Sequence, residues 1–243
     1  MNGIRIAMWS GPRNISTAMM RAWSNRGDTT CWDEPFYAWY LKETGIQQPG
    51  WDEIIKVHET EWRKVIARIE GPVPCGKDIH FLKCMTHHML PEVGREWFAH
   101  ARHFFLIRDP EMMLRSYAAA RDGVPFLIEE LGLTLQRELY EHVTRVLGKA
   151  PPVVASEDIL ADPRGTLLKL CDALGVPFTD KMVSWPAGPR PEDGVWAKHW
   201  YASVEKSTGF SPLQESTHPL PDQYRPMLNE LRRDYEPLAA LKI

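Results

Sequence analysis

The chain has 243 residues, of which 44% are apolar and 25% charged, and this composition is typical of one globular domain with a full core. We therefore predict a single domain over residues 1–243. The formal net charge of −3 argues against general binding to nucleic acid or to a membrane surface, so any anion site must be a local basic pocket.

The cysteines and the N-terminus favour a cytoplasmic location. Cys31, Cys75, Cys84 and Cys171 are widely spaced and form neither a CxxC pair nor a zinc-finger pattern, so no structural zinc and no disulfide framework is expected. The first nine residues are too briefly apolar for a signal peptide, and no run approaches the length of a membrane span.

Short apolar runs alternate with segments of helical periodicity along the chain. In chain order we predict a strand over 4–9, a helix over 16–26, a strand over 29–32, a helix over 52–69, strands over 79–84 and 102–107, helices over 110–120 and 134–147, a strand over 152–155 and a helix over 163–174. A Pro/Gly-rich stretch over 186–194 is predicted as a long surface loop.

This alternation indicates an α/β fold with a parallel sheet covered by helices on both faces. Ligands of such sheets bind beyond the carboxyl ends of the strands. Here those ends are followed by the loops after Trp9, Trp32, Lys83 and Ile107, and these four loops are expected to form the site.

The first of these loops has the chemistry of an anion site. It leads into a helix whose free N–H groups and positive dipole end suit a phosphate, and Arg13, Ser16 and Thr17 add donors. The Gly-Lys pair of the kinase motif GxxxxGK[ST] is absent. Taken alone, the segment is also compatible with an ordinary helix N-cap.

A second basic position follows the strand over 102–107. Arg108 stands at the strand end, and Ser116 follows eight residues later, nearly two turns into a helix that Pro110 can start. Arg108 and Asp109 by themselves are equally compatible with a surface turn.

Together these two segments resemble the sulfotransferase family. Residues 12–17, Pro-Arg-Asn-Ile-Ser-Thr, are similar to its 5′-phosphosulfate loop, Pro-Lys/Arg-Ser-Gly-Thr/Ser-Thr, and Arg108 with Ser116 is similar to its 3′-phosphate motif. Residues 153–176 resemble the strand, turn and helix that follow, and 204–210 resemble the glycine-containing lid. At Asn14 and Ile15 the chain departs from the family, and because a β-branched residue resists positive φ, the backbone there is expected to differ.

The resemblance implies a three-layer α/β/α, P-loop NTPase-like fold and a sulfuryl donor, 3′-phosphoadenosine 5′-phosphosulfate (PAPS). It assigns donor binding to the two phosphate motifs and, more weakly, to the lid: Arg13, Asn14, Ser16, Thr17, Arg108, Ser116, Lys206 and Gly209. No metal is expected, because cationic side chains can stabilise the charge that develops on the leaving phosphate. The candidates are Arg13 together with Lys77 or Lys83.

Three side chains are candidates for the base. Residues 83–91 resemble a lengthened form of the family's Lys-Thr-His-Leu-Pro segment, which puts forward His87 and His88. Glu34, in a Glu-Pro pair after the second strand, is the rival. Each of the three is also compatible with an ordinary structural role.

The acceptor is expected to be a small molecule with a hydroxyl or amine, and its identity and the oligomeric state are left open. An aromatic cluster over 32–40 is predicted to be mainly core, with a pocket wall as the alternative. Isolated His58, His142 and His218 are predicted to be structural or surface residues. Two other functions stay open: a P-loop nucleotide kinase or NTPase, and a nucleotide-binding relative without catalysis.

Overall fold

A computed structural model describes residues 3–121, 123–212 and 220–243, and its centre is a parallel sheet of five strands in the order β2-β3-β1-β4-β5. The strands are β1 Ile4–Ser10, β2 Thr29–Asp33, β3 Ile79–Met85, β4 Arg102–Ile107 and β5 Val153–Ala155. All four pairings between neighbouring strands are parallel. The predicted strands are therefore confirmed to within a residue at each end.

The described residues form ten α-helices. They are α1 Ser16–Ser24, α2 Tyr37–Thr44, α3 Trp51–Val57, α4 Trp62–Glu70, α5 Pro110–Ala120, α6 Leu133–Leu147, α7 Ser156–Ala161, α8 Pro163–Ala173, α9 Ala197–Trp200 and α10 Arg225–Ala239. None of the helices in these described ranges has the length and apolar character that a membrane span requires.

The single helix predicted over 52–69 is wrong, because α3 and α4 are separate. His58 is extended, with φ −100° and ψ 159°, and its ring packs against Trp196 at 4.9 Å between centroids. The helical periodicity of this segment is real on both sides of the break. Because Trp196 is distant in sequence, the sequence around His58 does not indicate the break.

Helices cover both faces of the sheet, which confirms the three-layer α/β fold class. On one face, Trp9, Leu82 and Phe105 pack with residues of α4, α6 and α10. On the other face, Met8, Phe81 and Phe104 pack with residues of α1, α7 and α8. Neighbouring residues of each strand enter opposite cores, as the alternation of side chains along a strand requires.

Two of the isolated histidines lie within the described residues, and each packs on an aromatic ring. His58 packs on Trp196, and His142 packs edge-on against Phe98. His218 lies outside the described residues.

Candidate active site

A cleft of about 460 Å³ opens beyond the carboxyl ends of β1 to β4. Each of the four loops named from the sequence contributes to its lining: Arg13 follows β1, Glu34 follows β2, His87 follows β3 and Arg108 follows β4. The parallel topology brings these loops to one edge of the sheet.

The loop after β1 has two non-glycine residues in the left-handed region, Arg13 with φ 61° and Ile15 with φ 56°. The expectation that Ile15 would avoid positive φ is wrong. Such a conformation costs on the order of 1–3 kcal/mol and persists only where the surroundings enforce it. The Ile15 side chain packs partly against the core beneath α1.

The N-terminus of α1 is free to receive an anion. No side chain caps it, and its first turn holds no acidic residue. Ser16 and Thr17, which open the helix, both line the cleft. The unpaired N–H groups and the helix dipole therefore point toward this end of the cleft.

The two phosphate motifs converge. The Arg13 Nε donates to Ser116 Oγ at 3.0 Å, and Arg108 Nη1 donates to the carbonyl oxygen of Arg13 at 2.5 Å. Burial lowers the pKa of both arginines. Among the described residues, no carboxylate oxygen lies within 4 Å of either guanidinium, although Glu157 and Asp109 are near Arg108. Two partly desolvated cations thus face the cleft without an ion pair.

Buried polar side chains, which the sequence did not reveal as important, fix the position of these loops. The Ser156 hydroxyl lies 3.0 Å from the carbonyl oxygens of both Asn14 and Ile107, and so joins the loops after β1 and β4. The Gln136 amide donates at 2.9 Å to the carbonyls of Trp9 and Leu106. Asn14 itself is buried and donates to Leu106 O at 3.3 Å. The predicted binding residue Asn14 thus holds the loop through its amide.

Lys83 is the centre of a buried ionic cluster. Its Nζ lies 2.8 Å from Asp33 Oδ1, 2.6 Å from Glu34 Oε1 and 2.7 Å from the Tyr201 hydroxyl. The carboxylates hold the pKa of Lys83 well above its ordinary value despite burial, and burial raises the pKa of Glu34. Lys83 lines the cleft, but its positive charge is balanced by carboxylates rather than offered alone.

The alternative cation, Lys77, is wrong for this site. Lys77 precedes β3 and so lies at the amino end of the sheet, where its Nζ donates to Gly27 O at 2.6 Å. The cleft lies at the carboxyl ends, on the other side of the sheet.

His87 and His88 both line the cleft, stacked among tyrosines. The ring of His88 lies 4.7 Å from Tyr37 and 4.8 Å from Tyr40, and His87 meets Tyr40 edge-on at 5.2 Å. Burial lowers the pKa of His87 to about 3 and that of His88 far below its ordinary value. Both rings are therefore neutral near pH 7, and neither Nδ1 has a hydrogen-bond partner among the described residues.

The remaining wall is aromatic, with one carboxylate. Tyr37 and Tyr40 of α2, which sequence analysis placed mainly in the core, are buried and also line the cleft. Trp32, from the same aromatic cluster, instead stacks on His80 and beneath Arg68. Glu130 and Tyr201, which sequence analysis did not single out, complete this wall.

The predicted lid is only partly at the cleft. Gly209 lines it, whereas Lys206 is exposed and is not part of the lining. The preceding loop over 186–194 is not merely a surface loop, because Asp193 makes a buried two-bond ion pair with Arg21 of α1 at 2.5 and 2.7 Å. Gly194 N also donates to Asp33 Oδ2 at 3.2 Å.

Comparison with known proteins agrees with this architecture. The sulfotransferase domain family matches residues 4–236. Branched-chain-amino-acid aminotransferase-like proteins 2 and 1 of Arabidopsis thaliana are each 36% identical over 93% of this chain, and the chain spans 41% of their length.

Solved structures share the fold at low sequence identity. The sulfotransferase domain of the Synechococcus PCC 7002 olefin synthase superposes with a TM-score of 0.59 at 16% identity, over 97% of this chain and 95% of that one. A mouse sulfotransferase complexed with 3′-phosphoadenosine 5′-phosphate (PAP) gives 0.54 at 12% identity, over 99% and 90%. With the family match spanning nearly the whole chain, the protein belongs to the sulfotransferase family.

Proposed function

We propose that this protein transfers a sulfuryl group from PAPS to a hydroxyl or amine of a small-molecule acceptor. The observation that carries the proposal is the pair of cleft arginines, Arg13 and Arg108, which have no carboxylate partner within 4 Å among the described residues and lie beside an uncapped helix N-terminus. Two cations in this arrangement are stabilised by a polyanion.

The residues present fit a nucleotide with two phosphate groups. The N–H groups of α1, with Ser16 and Thr17, are suited to the 5′-phosphosulfate. Arg108 and Ser116 are suited to the 3′-phosphate, since the Ser116 hydroxyl that accepts from Arg13 still has a proton to donate. The Arg108 Nε is buried and has no hydrogen-bond acceptor among the described residues, and a phosphate oxygen would be a suitable one. The mouse sulfotransferase of the same fold is described in complex with PAP.

The bound donor supplies the activated sulfuryl group, and the chain supplies position, charge and a base. We assign the base to His87, which lines the cleft and is half-buried, whereas His88 is fully buried. The His87 ring is neutral near pH 7 and so can accept the proton that the acceptor loses on attack, although its lowered pKa makes it a weaker base than a free imidazole. His88 packs against the rings of Tyr37 and Tyr40, and Glu34 is paired with Lys83. We therefore assign both residues a role in holding the cleft in place rather than in proton transfer.

The plant relatives are named aminotransferase-like, but we do not propose aminotransferase activity for this chain. This chain corresponds to 41% of their length, and it is this same stretch that matches the sulfotransferase family over residues 4–236. The buried lysine that lines the cleft, Lys83, is held protonated by Asp33 and Glu34, and a protonated amine is not a nucleophile for a carbonyl cofactor.

Calorimetric titration with PAP tests the donor site. We expect sub-millimolar binding to the wild type and a roughly 10- to 100-fold loss in Arg108→Ala, because a hydrogen bond between charged groups is removed. Arg115→Ala is the matched control, since Arg115 is a nearby arginine on α5 that pairs with Glu111.

Two outcomes would contradict the donor site. One is an absence of PAP binding at millimolar nucleotide. The other is an affinity for ATP, with magnesium, equal to that for PAP, because a nucleotide kinase is indifferent to a 3′-phosphate. Transfer of radiolabelled sulfate from PAPS, abolished by His87→Ala, would separate an active enzyme from a relative that only binds nucleotide.

A further inference from the structure

A buried carboxylate in the cleft wall has no role in the chemistry described so far. Glu130 lines the cleft and is only 6% exposed. Its Oε1 accepts from Leu127 N at 2.9 Å, while its Oε2 accepts from the Tyr117 hydroxyl at 3.1 Å and from the Gln48 amide at 3.3 Å. Tyr117 and Gln48 line the cleft as well, so Oε2 is the oxygen on the cleft side.

All three donors to Glu130 are neutral. Within the described ranges, no lysine, arginine or histidine nitrogen lies within 4 Å of its carboxylate. The nearest cation in this hydrogen-bond chain, Arg121, donates at 3.0 Å to Gln48 Oε1 and reaches Glu130 only through that amide. A buried carboxylate that lacks a direct cationic partner is costly, and a ligand cation would offset that cost.

The surroundings of Glu130 also favour a cation. Tyr40 and Tyr117 line the cleft as well, the Tyr117 hydroxyl is bonded to Glu130, and aromatic side chains favour ammonium ligands. The ionic cluster of the neighbouring wall has one lysine against two carboxylates, Asp33 and Glu34, so it adds no free positive charge. The cleft is therefore cationic at Arg13 and Arg108 and anionic at Glu130.

We infer that Glu130, with Tyr40 and Tyr117, binds a protonated amine of the acceptor, which makes the acceptor an amino alcohol or an aminophenol. This inference rests on the proposed sulfotransfer. The protonated amine has no lone pair, so the hydroxyl is the nucleophile. Its oxygen forms a bond to sulfur as the bond between sulfur and the phosphate oxygen of PAPS breaks, and its proton passes to His87. The products are a sulfate ester and PAP, with no change in oxidation state.

Binding to the PAP-loaded protein tests the amine site without any turnover. The probes are tyramine, which is cationic at pH 7, and N-acetyltyramine, which keeps the phenol and lacks the charge. We expect tyramine to bind roughly 10- to 100-fold more tightly, as a charge-assisted hydrogen bond at a buried site provides. In Glu130→Gln, which keeps the size and polarity of the side chain, the preference is expected to fall to near unity.

Glu129→Gln is the matched control, because Glu129 is the neighbouring carboxylate but is exposed and does not line the cleft. It is expected to keep the wild-type preference. Equal binding of both probes to the wild type, no tyramine binding at all, or an unchanged preference in Glu130→Gln would overturn the inference. The wild-type comparison stands even if the variant folds poorly. Failure of PAP itself to bind would instead refute the proposed function.

Discussion

At the scale of single residues, the pairing of Lys83 with two carboxylates decides how the reacting centre is charged. Asp33 accepts from Lys83, from the Tyr201 hydroxyl at 2.7 Å and from Gly194 N at 3.2 Å, so its carboxylate is fully used. Glu34, in the left-handed region with φ 41°, turns its carboxylate back to the same lysine. Removing one member of such a buried group leaves the others uncompensated.

We predict that Lys83→Met lowers the free energy of unfolding by about 3–5 kcal/mol at pH 8. Without Lys83, the pKa of Glu34 rises further above its unfolded value, since the lysine is what opposes burial and Asp33. A raised pKa means that the folded state binds more protons, so the variant loses stability as the pH rises.

Urea titrations at pH 5 and pH 8 measure this effect, and the deficit relative to wild type is expected to be larger at pH 8. Lys77→Met serves as the control, because Lys77 is exposed at the other end of the sheet. A deficit that is equal at both pH values would show that Glu34 does not titrate in this range.

At the scale of secondary-structure elements, the loop over 186–194 is tied to α1 and the cleft. The Arg21 and Asp193 side chains are 1% and 5% exposed, and Ser24 of α1 also bonds Glu192. Through Gly194 N this loop continues to Asp33 and the lysine cluster. The loop therefore stabilises the carboxyl edge of the sheet although it has no regular structure of its own.

Asp193→Ala should cost about 3–5 kcal/mol of unfolding free energy, because it leaves the Arg21 guanidinium buried and unpaired. The exposed pair of Arg225 and Asp222 provides the comparison, and Asp222→Ala should cost far less, because solvent screens that pair. The double variant Arg21→Met, Asp193→Leu should recover much of the loss, since it removes both charges. Thermal and urea unfolding give the free energy of unfolding of all three variants. An equal loss in the two single variants would show that the buried Arg21–Asp193 pair stabilises the fold no more than an exposed pair does.

At the scale of the whole molecule, several buried histidines make the fold sensitive to acid. Burial lowers the pKa of His80 and of His103 to about 4. His103 is held neutral between Trp9, whose Nε1 donates to Nδ1 at 2.9 Å, and the carbonyl of Phe98, 3.0 Å from Nε2. These rings take up protons on unfolding, where their pKa returns to about 6.5.

Because the folded pKa is depressed, this stability is complete above pH 6.5 and is lost as the pH falls toward 4. We expect each of these two histidines to lower the free energy of unfolding by about 2 kcal/mol between pH 7 and pH 5. Urea titrations at several pH values measure the slope. His103→Gln should reduce it, and an unchanged slope in this variant would contradict the role of His103.

The chain order of strands and helices was determined by the sequence itself, because apolar periodicity is a local property. The same holds for the edge at which the loops after β1, β2, β3 and β4 meet, since parallel strands place all their carboxyl ends together. The sulfotransferase resemblance came from two short segments, around Arg13 and Arg108, and the family match agrees with it.

Tertiary structure alone decided which side chains pair in the cleft. Asp33 faces Lys83 because they are register partners in β2 and β3, and Tyr201 joins them from 118 residues further along the chain. The sequence around Ser156 resembles a structural segment of the family and that around Glu130 resembles none, and in neither case does it indicate a partner in the cleft. The hydrogen bonds of these two residues depend on strand register and on packing between segments that are far apart in sequence. Local composition predicts neither of these.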